Sequence, residues 1–338
     1  MKVTVVNRFV FVSHAGSGEV HTLVLAPDGN LTPMHVAPLG GTLMPMAQSP
    51  CGRWLYVARR SEPMAVITLA IDQATGVLHK LGESPLPGSM AYIATDGTGR
   101  TLLAASYPSD LLSVSPIGPD GRVDTVRQQV TTGRHAHCVL TTPDNRHALA
   151  TSLGGGRVLQ FRFNSETGSL TPNEPPSWQA RPGAGPRHLR FHPNGQWVYL
   201  LNELDASVDR FAFDPVRGTL QHRQTIAALP PGFSGDPWAA DLHITPDGRF
   251  LYTSERRSST LATLALDSAD GSMALLGHTD TETEPRGFAI TPDGQHLLAV
   301  GQTSNHLSRY AIDPASGALS LRQRLPVGAG PNWIEITP

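Results

Sequence analysis

Short runs in which apolar and polar residues alternate recur along the whole chain, each opened by a tight turn. They read "SPCGRWLYVA" (49–58), "TDGTGRTLLAA" (95–105), "TPDNRHALATS" (142–152), "HPNGQWVYLL" (192–201), "TPDGRFLYTS" (245–254) and "TPDGQHLLAV" (291–300). Alternation with period two behind a turn is the pattern of a half-buried β-strand. The second positions of these runs, Pro50, Asp96, Pro143, Pro193, Pro246 and Pro292, are spaced by 46, 47, 50, 53 and 46 residues, and 46 more reach Pro338. A second marker runs in phase with the first. It is a turn glycine two residues ahead of an apolar position: Gly29, Gly76, Gly121, Gly168, Gly218, Gly271 and Gly317.

Two turn markers per repeat divide each unit into two hairpins. Glycine supplies the positive φ that tight turns require, and Asp or Asn tolerates it. The unit is therefore a four-stranded antiparallel sheet, and repeats of about 40–50 residues built this way are propeller blades. Seven glycine turns predict an all-β, seven-bladed β-propeller. The chain stops at "NWIEITP", a first strand meeting its turn, and starts with "NRFVFVSHA", a second strand. One blade is expected to be shared by both termini, which closes the ring. No linker divides the chain, so residues 1–338 are read as one domain.

Composition narrows the function. Net charge is −2 with 16% charged residues, so no basic excess recruits nucleic acid. Cys51 and Cys138 are the only cysteines, too few for a disulfide framework. No apolar run approaches the ~18 residues of a membrane helix. The N-terminal stretch "MKVTVVNRFVFVSHAG" alternates like a strand and lacks a small-residue cleavage pattern. The expectation is a cytoplasmic monomer with no nucleic-acid or membrane partner.

The repeat also locates charge. Six residues before the first marker stand Met44, Met90, His137, Arg187, Ala240, Arg286 and Asn332. Each opens the innermost strand of its blade, so all seven should ring one mouth of the central channel. Ten residues after the marker the second strand returns to that mouth, with Arg60, Glu203, Arg256 and Gln302. His137, Arg187, Glu203, Arg256 and Arg286 are thus expected on one face, and His188, Asp241 and His243 lie on the same inner strands. Arginines crowded in a confined channel repel one another, and an anionic ligand would relieve that.

At these residues a resemblance enters. "GAGPRHLRFHPNG", "NELDASV", "WAADLHITPDGR", "TETEPRGF" and "VGAGPNW" resemble the bacterial propeller-type 6-phosphogluconolactonases, a group in one superfamily with the fungal carboxymuconate-lactonizing enzymes. The resemblance spans all seven blades and is tightest over residues 183–338. It implies hydrolysis of 6-phospho-D-glucono-1,5-lactone to 6-phosphogluconate, a pentose phosphate pathway step. The muconate enzymes carry a His, an Arg, a Glu sixteen residues later and a further Arg, and His137, Arg187, Glu203 and Arg256 match that pattern.

Other chemistries fit less well. Cys138 follows His137 on a strand, where neighbours point to opposite faces, so it reads as a packed thiol rather than half of a nucleophile pair. No G-x-S-x-G nucleophile elbow occurs. A hard cation wants several oxygen ligands, whereas the expected mouth offers one carboxylate among arginines. His188, Asp241 and His243 lack diagnostic metal spacing. "PPGFSGDPW" (230–238) is the longest inter-strand connection, either a rim loop or a plain surface loop, with Trp238 free to stack on a sugar or to pack.

The expected site is therefore His137, Glu203 and Arg187 for the chemistry, with Arg256, Arg286, His188, Asp241, His243 and Asn332 for the substrate, a small anionic sugar lactone. No metal or cofactor is implied. Histidine suits water activation near neutral pH, and arginines suit the oxyanion and a phosphate; either His137 or Glu203 can be the base. Two alternatives stay open. One is a lactonase or cycloisomerase for another sugar-acid, aldaric or muconate lactone. The other is a non-catalytic protein-binding propeller, which would need no charge in its funnel and would display aromatic residues on its rim.

Overall fold

The computed structural model describes residues 7–338. Residues 1–6, the start of the run read above as a strand and of the domain 1–338, lie outside the described residues. Among the described residues there is no helix, and every strand belongs to one of seven four-stranded antiparallel sheets. We number these blades 1 to 7 in chain order. In blades 2 to 7 the strands follow one another in sequence, starting with Leu43–Gln48, Met90–Thr95, Ala136–Thr141, Pro186–Phe191, Ala239–Ile244 and Pro285–Ile290. Blade 1 begins with the last strand of the chain, Pro331–Ile336. It pairs antiparallel with Arg8–His14 in a register that sets Val10 opposite Ile336 and Val12 opposite Ile334. The ring closes through both ends of the chain, as the repeat phase requires.

First strands of successive blades contact one another around the ring, and so form the channel wall. Outside that wall, apolar side chains on facing sheets interlock to make the core. The largest continuous cluster runs from Tyr92 and Leu103 through Val139, Leu149 and Phe161 to Leu200 and Phe211. The two sequence markers meet physically between blades. Tyr56, Tyr199 and Tyr252, each on a second strand, donate their hydroxyl hydrogens to the carbonyls of Gly121, Gly271 and Gly317 in the next blade, at 3.0, 2.7 and 2.7 Å. Gly271 has φ +73°, and a β-carbon there would sit 2.6 Å from the Trp197 ring. Glycine is needed at that turn for its backbone and for the room it leaves.

A bulge recurs at the channel mouth. In blades 4, 5 and 7 the pairing of first and second strands skips one residue, between Ala136 and Cys138, Pro186 and His188, and Pro285 and Gly287. The skipped residues are His137, Arg187 and Arg286. A bulge leaves the extra residue unpaired and re-aims its side chain, which turns His137 and Arg286 into the channel mouth and Arg187 into its wall. Blade 3 corrects the repeat count by one. There Asp96 Oδ1 accepts from Thr101 N at 2.8 Å, the turn bond that Thr245 Oγ1 makes with Phe250 N at 3.0 Å in blade 6. Asp96 therefore stands where blades 4, 6 and 7 have Thr142, Thr245 and Thr291, and Gly97 is the true marker. The mouth positions of blade 3 move from Met90 and Ser106 to Ala91 and Tyr107.

Candidate active site

A cavity of about 230 Å³ opens at this mouth, lined by Arg60, Ala91, Tyr107, His137, Glu203, Trp238, Arg256 and Arg286. Ala91, His137 and Arg286 sit on first-strand bulges, Arg60, Tyr107, Glu203 and Arg256 follow the ends of second strands, and Trp238 immediately precedes the first strand of blade 6. Blade order sets their bearings, at about 51° per blade. His137 stands on blade 4 and Glu203 on blade 5. Arg256 and Trp238 stand on blade 6, Arg286 on blade 7, Arg60 on blade 2 and Tyr107 on blade 3.

Glu203 is the one carboxylate of the lining, and it is held from behind. Its Oε2 accepts from Arg187 Nε at 2.7 Å and faces Arg256 Nη2 at 3.0 Å. Burial opposes the negative charge, but Arg187 and Arg256 outweigh it and hold the carboxyl below its ordinary range. Arg256 is fixed in turn: Nε donates to the Trp238 carbonyl at 2.9 Å, and Nη2 lies 3.2 Å from the Ala239 carbonyl.

His137 is 3% exposed. Its Nδ1 is buried and has no hydrogen-bond partner among the described residues, while the ring lines the cavity. Burial first, then the cations Arg187, Arg286 and Arg256, push its pKa well below 6.5. The imidazole is neutral at pH 7 and able to accept a proton.

The arginines are not equivalent. Arg60 donates Nε–H to Ser89 Oγ at 2.7 Å. The Arg286 side chain makes no hydrogen bond or ion pair with any described residue, its field coming only from charges at longer range. Desolvation, followed by the fields of Arg187 and its neighbours, pushes Arg256 down to about 8 and Arg286 to about 9. A guanidinium keeps its proton at neutral pH even so, so three cations face one carboxylate in a confined space. That arrangement favours an anion and repels a metal cation. Among the described residues, no three His, Cys, Asp or Glu side chains form a group able to hold a metal ion.

Residues 8–336 match the family described as Lactonase, 7-bladed beta-propeller. The chain belongs to that family. The lactonase is 39% identical over 330 residues to a 6-phosphogluconolactonase of Pectobacterium carotovorum, covering 98% of each chain. It is 40% identical over 333 residues to one of Cronobacter sakazakii, again covering 98% of each. A solved structure of a periplasmic gluconolactonase from Pseudomonas aeruginosa aligns with a TM-score of 0.92 at 28% identity, over 98% of this chain and 99% of that one. A Lactobacillus plantarum protein aligns at 0.89 and 26% identity over 98% and 99%. The lactonase is thus a hydrolase of cyclic carboxylic esters.

Of the residues expected at one mouth, the lactonase brings His137, Glu203, Arg256 and Arg286 together around the cavity. Arg187 is 1% exposed and is not in the lining. It sits behind Glu203, with Nη1 donating to the Ala240 carbonyl and lying 3.1 Å from His188 Nε2. Asp241 and His243 face the other way. The first strand runs from one mouth to the other, so residues farther along it reach the far end, where a second cavity of about 340 Å³ is lined by them with Tyr92, Arg190, Trp333 and Glu335. His188 lies between the two cavities, bonded through Nδ1 to Asp241 Oδ1 at 2.8 Å, and burial drives its pKa to about 3. Asn332 is fully buried and spends its amide on the Leu43 and Gly330 carbonyls at 3.0 and 3.1 Å. None of these four lines the cavity of His137. Cys138 packs in the inter-blade core, where burial raises its thiol to about 11.

Tyr107 was hidden by the one-residue slip in blade 3. Counting from Gly97, it occupies the second-strand mouth position of Arg60, Glu203 and Arg256. The loop 230–238 contributes Trp238 to the lining, which settles that residue as part of the rim.

Proposed function

We propose that this lactonase hydrolyses 6-phospho-D-glucono-1,5-lactone to 6-phosphogluconate. The carrying observation is Arg286, a guanidinium turned into the cavity with no ion pair among the described residues, opposite the neutral imidazole of His137. The relatives named 6-phosphogluconolactonase support the substrate class. The cavity is polarised along one line. His137 and Glu203 on blades 4 and 5 face Arg286 on blade 7 and Arg60 on blade 2, which flank blade 1 across the channel. A lactone carbonyl at the first pair places a 6-phosphate at the second.

In this reading a water attacks C1 while His137 takes its proton. Arg256 stabilises the oxygen that becomes negative, since preorganised donors act most strongly where charge develops in a dry site. Glu203, ionised and tied to Arg187 and Arg256, orients the water and balances the imidazolium. Collapse of the tetrahedral intermediate breaks the bond between C1 and the ring oxygen. The leaving oxygen takes the proton back from His137, and the new carboxylic acid loses its own proton to solvent. Arg187 acts through Glu203 and not on the substrate. Phosphate bound at Arg60 and Arg286 also neutralises part of the field that depresses His137, which makes it a better base when substrate is present.

The test compares kcat/KM for the phosphorylated lactone and for glucono-1,5-lactone in one buffer, followed by pH-stat with spontaneous hydrolysis subtracted. Two charge-assisted contacts at ~1.5–3 kcal/mol each favour the phosphorylated lactone by roughly 10²- to 10⁴-fold. Exhaustive chelation should leave the rate unchanged. Equal values for the two lactones would move the function to an unphosphorylated aldonolactone, the substrate type in the name of the Pseudomonas neighbour.

A further inference from the structure

The polar groups of the cavity account for the two ends of a sugar lactone but not for its ring. Besides Ala91 and the imidazole of His137, the uncharged side chains of the lining are two large aromatics, Tyr107 and Trp238. Their bearings are informative. The line from His137 and Glu203 to Arg286 and Arg60 runs from between blades 4 and 5 to blade 1. Tyr107 on blade 3 and Trp238 on blade 6 stand one and a half blades to either side of its starting point, so they flank the line symmetrically.

Both aromatics are braced. Tyr107 stacks on His135 at 4.1 Å with the planes 7° apart, and His135 is outside the lining, so it backs the ring. His135 takes φ +61°, a backbone state that blades 5 and 1 fill at the equivalent position with Gly185 and Gly330, at +73° and +65°, and blade 7 with Glu284 at +60°. A residue with a β-carbon loses stability there. Its backbone is pinned by His135 N donating to Asp110 Oδ1 at 2.6 Å and by its carbonyl accepting from Leu153 N at 2.8 Å. Backbone strain that persists under such restraint collects at functional sites. Across the cavity, Arg256 and Arg257 lie 3.6 and 4.9 Å from the Trp238 ring centroid. Trp238 N donates to Glu255 Oε1 at 2.6 Å.

We infer that Tyr107 and Trp238 are side walls that grip the C–H flanks of a six-membered sugar ring and make the site selective for the cyclic form over the open-chain product. The inference rests on the sugar-lactone reading above for the ring, but not on its phosphate. A closed ring presents rigid apolar flanks to both walls. Once the bond between C1 and the ring oxygen breaks, the flexible chain no longer fills the space between them, and the product leaves although it carries the same terminal group. His135 is a positioning residue that acts through Tyr107.

The experiment uses two ligands that share a phosphate, carry no carboxylate and differ in the ring: 1,5-anhydro-D-glucitol 6-phosphate, cyclic and not hydrolysable, and D-glucitol 6-phosphate, its open-chain counterpart. Their affinities are measured by calorimetry for the wild type, Tyr107→Ala, Trp238→Leu and His135→Gly. The wild type should prefer the cyclic ligand. Tyr107→Ala and Trp238→Leu should each weaken the cyclic ligand by about tenfold and the open chain by less than about twofold, the scale of one lost aromatic contact. His135→Gly should weaken the cyclic ligand by roughly threefold while melting no lower than the wild type, because glycine relieves the backbone. Equal weakening of both ligands, no weakening, or a wild type without preference for the ring overturns the inference. Unphosphorylated 1,5-anhydro-D-glucitol is the separate arm: binding as tight as that of its phosphate defeats the phosphate reading and leaves the comparison of walls intact.

Discussion

Replacing Arg286 by alanine separates substrate recognition from chemistry more cleanly than any other change at this mouth. Arg256→Ala would strip a partner from Glu203, and Arg187→Ala would leave that carboxylate half-compensated in a buried site. Arg286 has no partner to orphan among the described residues. Its loss removes one charge-assisted contact to the substrate phosphate, worth ~1.5–3 kcal/mol. That is about a 10- to 150-fold fall in kcat/KM for the phosphorylated lactone, expressed chiefly as a higher KM. For glucono-1,5-lactone the change should stay within about threefold. The same substitution removes a desolvated cation that faces Arg187, Arg60 and Arg256, so like-charge repulsion falls and the melting temperature should stay level or rise. The assays are kcat/KM on both lactones and a thermal melt in one low-salt buffer, since salt screens an open mouth. A loss of equal size on both lactones would show that Arg286 serves the chemistry. A melt several degrees lower would show that it has a structural partner, and either result refutes the reasoning.

Two further outcomes follow from the same geometry. His137→Gln and Glu203→Gln should each lower kcat by about 10² or more, the usual scale for general-base catalysis, with KM nearly constant; two folded variants that both keep wild-type kcat would place the chemistry elsewhere. Mild acid should destabilise the fold through its buried histidines, offset in part by Glu335, whose carboxyl burial raises to about 7 and which therefore favours the fold as pH falls. His137, His188 and His14 are buried neutral, with pKa values driven well below 6.5, to about 3 and to about 4 respectively, chiefly by desolvation. At these three sites the unfolded chain binds more protons than the native state below pH 6.5, so their contribution is full above that value and falls as pH drops toward the folded values, by about 2 kcal/mol each for His188 and His14 at pH 5 and in the same direction for His137. A melting temperature that is flat between pH 7 and pH 5 would contradict this.

The repeat carried most of the architecture. Two markers in phase, seven glycine turns and period-two alternation specify blade number, strand order and the sharing of one blade by both ends of the chain, because each rests on local turn chemistry or side-chain alternation that needs no distant partner. Counting from the turn also assigned residues to a level of the channel, and so gathered His137, Glu203, Arg256 and Arg286 from four blades. What the count could not supply was direction. His137, Arg187 and Arg286 all occupy bulges, yet Arg187 alone is drawn into the wall, because Glu203, the Ala240 carbonyl and His188 surround its guanidinium. Asp241 and His243 share strands with the mouth residues, but their place farther along turns them to the opposite end. In blade 3 the slip arose because Asp96 does the hydrogen bonding of a threonine, an equivalence of function that letters do not display, and it concealed Tyr107. The sequence by itself determined which residues stand at which height around the channel, since spacing along a repeated strand is a one-dimensional quantity. Which of them face the cavity, which support a neighbour from behind and which face the far mouth was decided only in the tertiary structure, because burial, bulge geometry and ion pairing depend on partners from other blades.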